Sequence, residues 1–279
     1  MSKYEYQTEV LENGLTLICH SMPHVQSTVI NAFVKAGLTY EDRTNSGVSH
    51  LLEHLHMSVT RSYPSRLEFL RAIDSIPGDV NAFTNPQYVQ FHIDSPPQHV
   101  GRAAGLLTEI LEARPYPDDI VDSEKQLVIN EIKCSQEDVD ARFVYSRLDR
   151  KHPLSRPPMG TKSSVSKLTR DQILGFDREH FTPRNTVVVI AGPILESEIK
   201  HAKESLCALE AGETKVVVPP ACPSMKLPRF RRMAPLAQAR QVIVGFDIPE
   251  PLPLNTTAQS YFLYKSVFGP YRCPVFVVS

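Results

Sequence analysis

Residues 6–11, 15–20 and 28–35 are rich in β-branched and apolar side chains, and Asn13-Gly14 separates the first two runs. An Asn-Gly pair between such runs is the strongest short-range hairpin signal, so the chain is predicted to open with a hairpin and a third strand. From Ser46 the period changes. Val48, Leu51, Leu52 and Leu55 recur at spacings of three and four, which predicts a helix, and a second helix follows over 66–73. Residues 80–84 and 88–93 return to short strands joined by Asn85-Pro86-Gln87, and an amphipathic helix is predicted from Gln98 to about Ala113.

Beyond Pro115 and Pro117, residues 118–140 carry Ile120, Leu127, Val128 and Ile132 behind an acidic first turn, as a long helix would. Helices are expected at 142–150, 169–181 and 196–210, with a strand at 186–191 before the last of them. This order predicts an α+β fold with a largely antiparallel sheet flanked by helices. The unit is expected to span residues 1–212. The segment 218–228, VPPACPSMKLP, holds four prolines and reads as a linker, placed within 213–228. Residues 229–279 then read as the incomplete start of a second, similar unit, with strands at 229–234 and 240–246 and a helix from about Thr256. Tyr261, Phe262, Tyr264, Val275 and Phe276 would leave apolar surface on such a start, which favours association.

Composition narrows the function classes. The chain has 279 residues, 42% hydrophobic and 22% charged, the balance of a soluble globular protein. Thirty Lys+Arg against 31 Asp+Glu give a formal charge of -1, so neither nucleic acid nor a membrane surface is the expected partner. Five widely spaced cysteines, Cys19, Cys134, Cys207, Cys222 and Cys273, form no C-x-x-C pair and read as mostly buried thiols. Neither a secretory signal nor a run of 18 apolar residues is found, so a cytoplasmic location is the expectation. Neither G-x-x-x-x-G-K-[ST] nor G-x-G-x-x-G occurs, which leaves a phosphate-binding enzyme without support.

The chemistry lies on the first predicted helix. His50-Leu51-Leu52-Glu53-His54 is an H-x-x-E-H arrangement, the reverse of the H-E-x-x-H zinc motif. Residues four apart share a helical face, so both imidazoles can reach one metal, and Glu53 projects close enough to act on a water there. Zinc needs a further protein ligand and an open position to be catalytic. Glu124 and Glu131, seven apart on the predicted helix 118–140, share one face, and spacing alone allows either. The remaining histidines, His20, His24, His56, His92, His99, His152, His180 and His201, read as surface or capping residues, outside the site.

Several separate stretches resemble the pitrilysin/insulinase family of zinc metallopeptidases, the inverzincins, and most of all its mitochondrial-processing-peptidase-like branch. They are VKAG at 34–37 with Glu41, GVSHLLEH at 47–54, GDVNAFT at 78–84, Glu124 and Glu131 with Ile132, His152 to Leu154, and Leu168-Thr169 through HFTPRN at 180–185. In that family 76 residues separate the second motif histidine from the last zinc ligand, and 76 separate His54 from Glu131. The resemblance therefore implies one Zn2+ per chain, held by His50, His54 and Glu131. It makes Glu53 the base that activates the Zn-bound water in hydrolysis of extended or unfolded peptides, and Glu124 a catalytic candidate that supports the site from behind. Asn81, Ala82 and Phe83 resemble the family's edge strand, which takes a peptide substrate as an added strand. The resemblance also implies a homo- or hetero-oligomer that supplies the missing second half. The alternative is a non-catalytic partner or scaffold subunit of a related complex.

Overall fold

The computed structural model describes residues 6–112, 114–134 and 153–212, together with the short strands Phe246–Asp247 and Val277–Val278. Contacts divide the chain into two units, Met1–Cys134 with Pro158–Pro219, and Ser135–Pro157 with Pro220–Ser279. Among its described residues the second unit holds a 3-10 turn, Pro153–Ser155, and a parallel ladder between Phe246–Asp247 and Val277–Val278. Everything below concerns the first unit.

Six strands form its sheet: β1 (Tyr6–Val10), β2 (Thr16–Ser21), β3 (Thr28–Val34), β4 (Asp79–Thr84), β5 (Val89–Ser95) and β6 (Thr186–Gly192), in the order β1-β2-β6-β3-β5-β4. Neighbours run antiparallel except β2 and β6, which are parallel. The expected largely antiparallel sheet is met at every pair of this sheet but that one. Hairpin-linked strands must be antiparallel, whereas β6 arrives from a long helical excursion and is free of that constraint. Strict alternation buries Ile30, Ala32 and Val34 on β3, Val89, Phe91 and Ile93 on β5, and Val188 and Ile190 on β6. Register lines them up in rows, Ile190–Ile30–Ile93 and Val188–Ala32–Phe91, beneath the helices.

Seven helices occur among the described residues: α1 (Val48–His56), α2 (Arg66–Asp74), α3 (Val100–Leu111), α4 (Asp118–Cys134), α5 (Lys162–Lys167), α6 (Arg170–His180) and α7 (Glu196–Cys207). Helix α3 lies against β3, β5 and α7, while α1 packs on β4, β5, α4 and α6. Helix α5 is absent from the periodicity because it has only six residues; Thr161 and Ser164 define it through reciprocal capping bonds. Thr169 and Gln172 cap α6 in the same way. The end of the predicted helix 118–140, the helix 142–150, the linker and the predicted elements from 229 onward lie outside the described residues, apart from Phe246.

Two groups of side chains depart from expectation. His56 and His180 are buried, at 0% and 4% exposure, rather than at the surface. Each lies on the inward side of its helix, among aromatic rings. Among the described cysteines, all free thiols, Cys19 is half-buried but Cys134 and Cys207 are exposed, because both stand at helix C-termini.

Candidate metal centre

Helix α1 is the platform, and the fold grips it along its whole length. Val48, Leu51, Leu52 and Leu55 are fully buried, which leaves His50, Glu53 and His54 on the opposite side. Its N-cap, Gly47, has φ 93, and a Cβ there would stand 2.9 Å from the Met159 carbonyl oxygen, so glycine suits both the turn and the close approach. The buried Glu41 accepts the backbone N–H groups of Gly47 at 2.9 Å and Ser49 at 3.0 Å, placing a carboxylate at the positive end of the helix dipole. At the other end Arg114 donates to the carbonyls of His56 at 3.3 Å and Val59 at 2.5 Å. His56 itself bridges Ile110 O at 2.5 Å and Asp177 Oδ1 at 2.9 Å, with its ring stacked 4.3 Å from Phe181.

On the outer side of α1 the two histidines converge on Glu131 from α4. Glu131 Oε2 lies 3.1 Å from His50 Nε2 and 3.4 Å from His54 Nε2. Ligands 2.0–2.1 Å from a tetrahedral ion stand roughly 3.3 Å from one another, so this spacing fits one zinc ion. Among the described residues His50, His54 and Glu131 are the group whose ligand atoms gather in this way, all within 4.8 Å. Two imidazoles and one carboxylate are a donor set suited to zinc with a position left open.

The flanking groups orient the donors. His54 Nδ1 stands 3.3 Å from Glu124 Oε2, and an N–H donated there would leave Nε2 as the metal-binding atom. Glu124 is only 2% exposed, so it does not lie on a solvated helix face, and Arg66 Nη1 donates to its other oxygen at 2.5 Å. Glu53 Oε2 lies 3.4 Å from His50 Nδ1 and accepts a 2.5 Å bond from Thr84 Oγ1. Burial alone would raise the Glu53 carboxyl, but His50, Thr84 and His54 outweigh it and hold it below the usual carboxylate range. Burial also works against a charged His50, and Glu53 and Glu131 reverse that, raising its imidazole above the ordinary value.

Thr84 and Arg66 were not among the residues expected at the site. Thr84 had a signal: period two along β4 sets Val80, Ala82 and Thr84 on the face toward α1, paired with the buried Ile93, Phe91 and Val89. Arg66 had none, since its partner lies 58 positions away. Of the expected edge-strand residues, Asn81 and Phe83 point to the opposite, exposed side. Strand β4 ends the sheet order, as an edge strand does, and Ala82 N–H donates to Asn81 Oδ1 at 2.9 Å.

The sequence model of insulinase, peptidase family M16, matches residues 16–162, more than half of the chain. The chain belongs to this family. As an M16 member it is 28% identical over 216 residues to an uncharacterized zinc protease of Rickettsia bellii (strain RML369-C), covering 76% of this chain and 52% of that protein. An uncharacterized zinc protease of Bacillus subtilis (strain 168) is 28% identical over 204 residues, 72% of this chain and 49% of its own length. The chain thus spans about half the length of the curated relatives it matches. Among solved structures, a protease from Helicobacter pylori superposes with a TM-score of 0.70 at 21% identity, covering 88% of this chain and 58% of the other. Pitrilysin gives 0.68 at 20%, covering 78% and 24%. At these identities the likeness is one of fold, and the M16 chain is of the zinc-protease type through its family and its curated relatives. No helix among the described residues is long and apolar enough to cross a membrane.

Proposed function

We propose that the chain is the zinc-binding half of an M16 endopeptidase, with His50, His54 and Glu131 as the ligands of one Zn2+. The observation that carries this reading is the approach of both Nε2 atoms to a single carboxylate oxygen at 3.1 and 3.4 Å. A zinc ion held there supplies a Lewis acid that polarises a peptide carbonyl and acidifies a water. Glu53, which stands beside the ligands rather than among them, would act as general base toward a water at the site and return the proton to the departing amine. Thr84 holds the Glu53 carboxylate in rotation. Glu124 keeps His54 in the ligating tautomer.

The substrate in this reading is an extended peptide added to the outer edge of β4, where backbone groups near Asn81, Ala82 and Phe83 pair with it. Among M16 peptidases the motif resemblance favours the mitochondrial-processing-peptidase-like branch. We assign residues 1–212 to the peptidase domain, 213–228 to a linker and 229–279 to the start of a second similar unit. A second half, from the same or another chain, completes the enzyme, in keeping with the half-length match to the relatives. A cytoplasmic setting is the location we propose, in keeping with the free thiols of Cys19, Cys134 and Cys207 among the described residues.

The test is cleavage of a quenched fluorescent peptide library by the zinc-loaded chain and by its Glu53→Gln variant. The expected result is zinc retained in both and cleavage lowered at least about 100-fold in the variant, the usual scale for losing a general base. Cleavage that survives Glu53→Gln would contradict the mechanism. A zinc-loaded chain that cuts no peptide would mean that the second half must be supplied by a partner before the site can act.

A further inference from the structure

We infer that Arg66 is a positioning residue for the metal centre, acting through Glu124 on His54; the inference rests on the zinc reading above. Arg66 is the first residue of α2, and that turn is pinned by a capping box in which Ser65 and Glu68 satisfy each other's backbone N–H groups. From this fixed point its guanidinium reaches Glu124 Oε1 at 2.5 Å. The two ends of the contact differ sharply: the Arg66 side chain is 52% exposed and that of Glu124 is 3% exposed. Solvent therefore surrounds much of the arginine and little of the carboxylate.

A buried carboxylate requires hydrogen-bond donors or a cation for its oxygens. When His54 ligates through Nε2 it is a neutral imidazole, and it offers Glu124 one N–H, from Nδ1. Arg66 supplies the positive charge and occupies the second oxygen. With Oε1 held by Arg66, the carboxyl plane cannot rotate freely, and Oε2 stays on His54 Nδ1. The chain of contacts runs from the first turn of α2, through α4, to the ring of a zinc ligand on α1, and so ties three elements to one imidazole orientation. Arginine is suited to this because its planar fork fixes direction as well as charge.

Zinc affinity is the readout, measured by competition with a chromophoric chelator on the full chain. Wild type, Arg66→Gln, Arg66→Lys, Glu124→Gln and the Arg66→Gln/Glu124→Gln double variant are compared. Groups that hold a metal ligand from behind typically govern affinity by about 10- to 100-fold, and the half-exposed Arg66 is expected at the lower end, about 10-fold for Arg66→Gln. Arg66→Lys should recover part of the loss, and the double variant should bind no more weakly than Glu124→Gln alone. A cobalt-substituted sample should show a changed visible spectrum in Arg66→Gln, which a mere surface ion pair would not produce. Zinc affinity of Arg66→Gln within about two-fold of wild type, or losses that multiply in the double variant, would overturn the inference. A wild-type chain that binds no zinc would overturn the underlying reading as well, and is distinguished from failure of Arg66 alone by that first measurement.

Discussion

Thr84 and Glu53 show how one side chain can depend on another element. The 2.5 Å bond from Thr84 Oγ1 aims a carboxylate that would otherwise turn freely about its terminal torsion. Thr84→Val keeps the β-branched shape and removes the donor, so cleavage should fall by about ten-fold, as expected for a hydrogen bond to a charged group, with zinc content unchanged. An unchanged rate would show that Glu53 is held by His50 alone. Residue-level legibility was uneven, and for physical reasons. The H-x-x-E-H spacing is local, so a helix brings His50, Glu53 and His54 to one face whatever surrounds them. The choice between Glu124 and Glu131 is not local: the same helix face carries both, and only the packing of α4 on α1 sets one at the Nε2 atoms and buries the other behind Nδ1. Arg66 was invisible because ion pairs between distant residues leave no periodic trace.

Helix α1 behaves as a beam fixed at both ends, by Glu41 at its N-terminus and by Arg114 at its C-terminus. Glu41→Gln weakens two charge-assisted bonds from helix N–H groups and should lower unfolding free energy by about 2 kcal/mol, read from urea denaturation. Leu52→Ala, beneath the same helix at 0% exposure, should cost about 2–5 kcal/mol through lost burial and a cavity. A loss under about 0.5 kcal/mol in either variant would mean that α1 is not anchored as described. Elements with strong periods, β3, β5, β6, α1 and α3, were readable in the chain because burial on one face imposes the pattern. Helix α5 is too short to show a period, and the parallel β2–β6 pair joins strands so far apart that no turn signal links them.

At the scale of the molecule, one six-stranded sheet carries helices that bring the ligand-bearing faces of α1 and α4 together beside its β4 edge. That arrangement places the candidate metal centre and an edge strand within one unit, and the chain spans about half the length of the curated relatives it matches. The central claim concerns the metal, and metal content tests it most directly. The purified chain, exchanged into metal-free buffer after incubation with zinc, is analysed by inductively coupled plasma mass spectrometry beside His54→Ala. The account predicts about one zinc ion per wild-type chain and almost none in the variant. A wild-type chain without zinc, or zinc retained equally by His54→Ala, would contradict it.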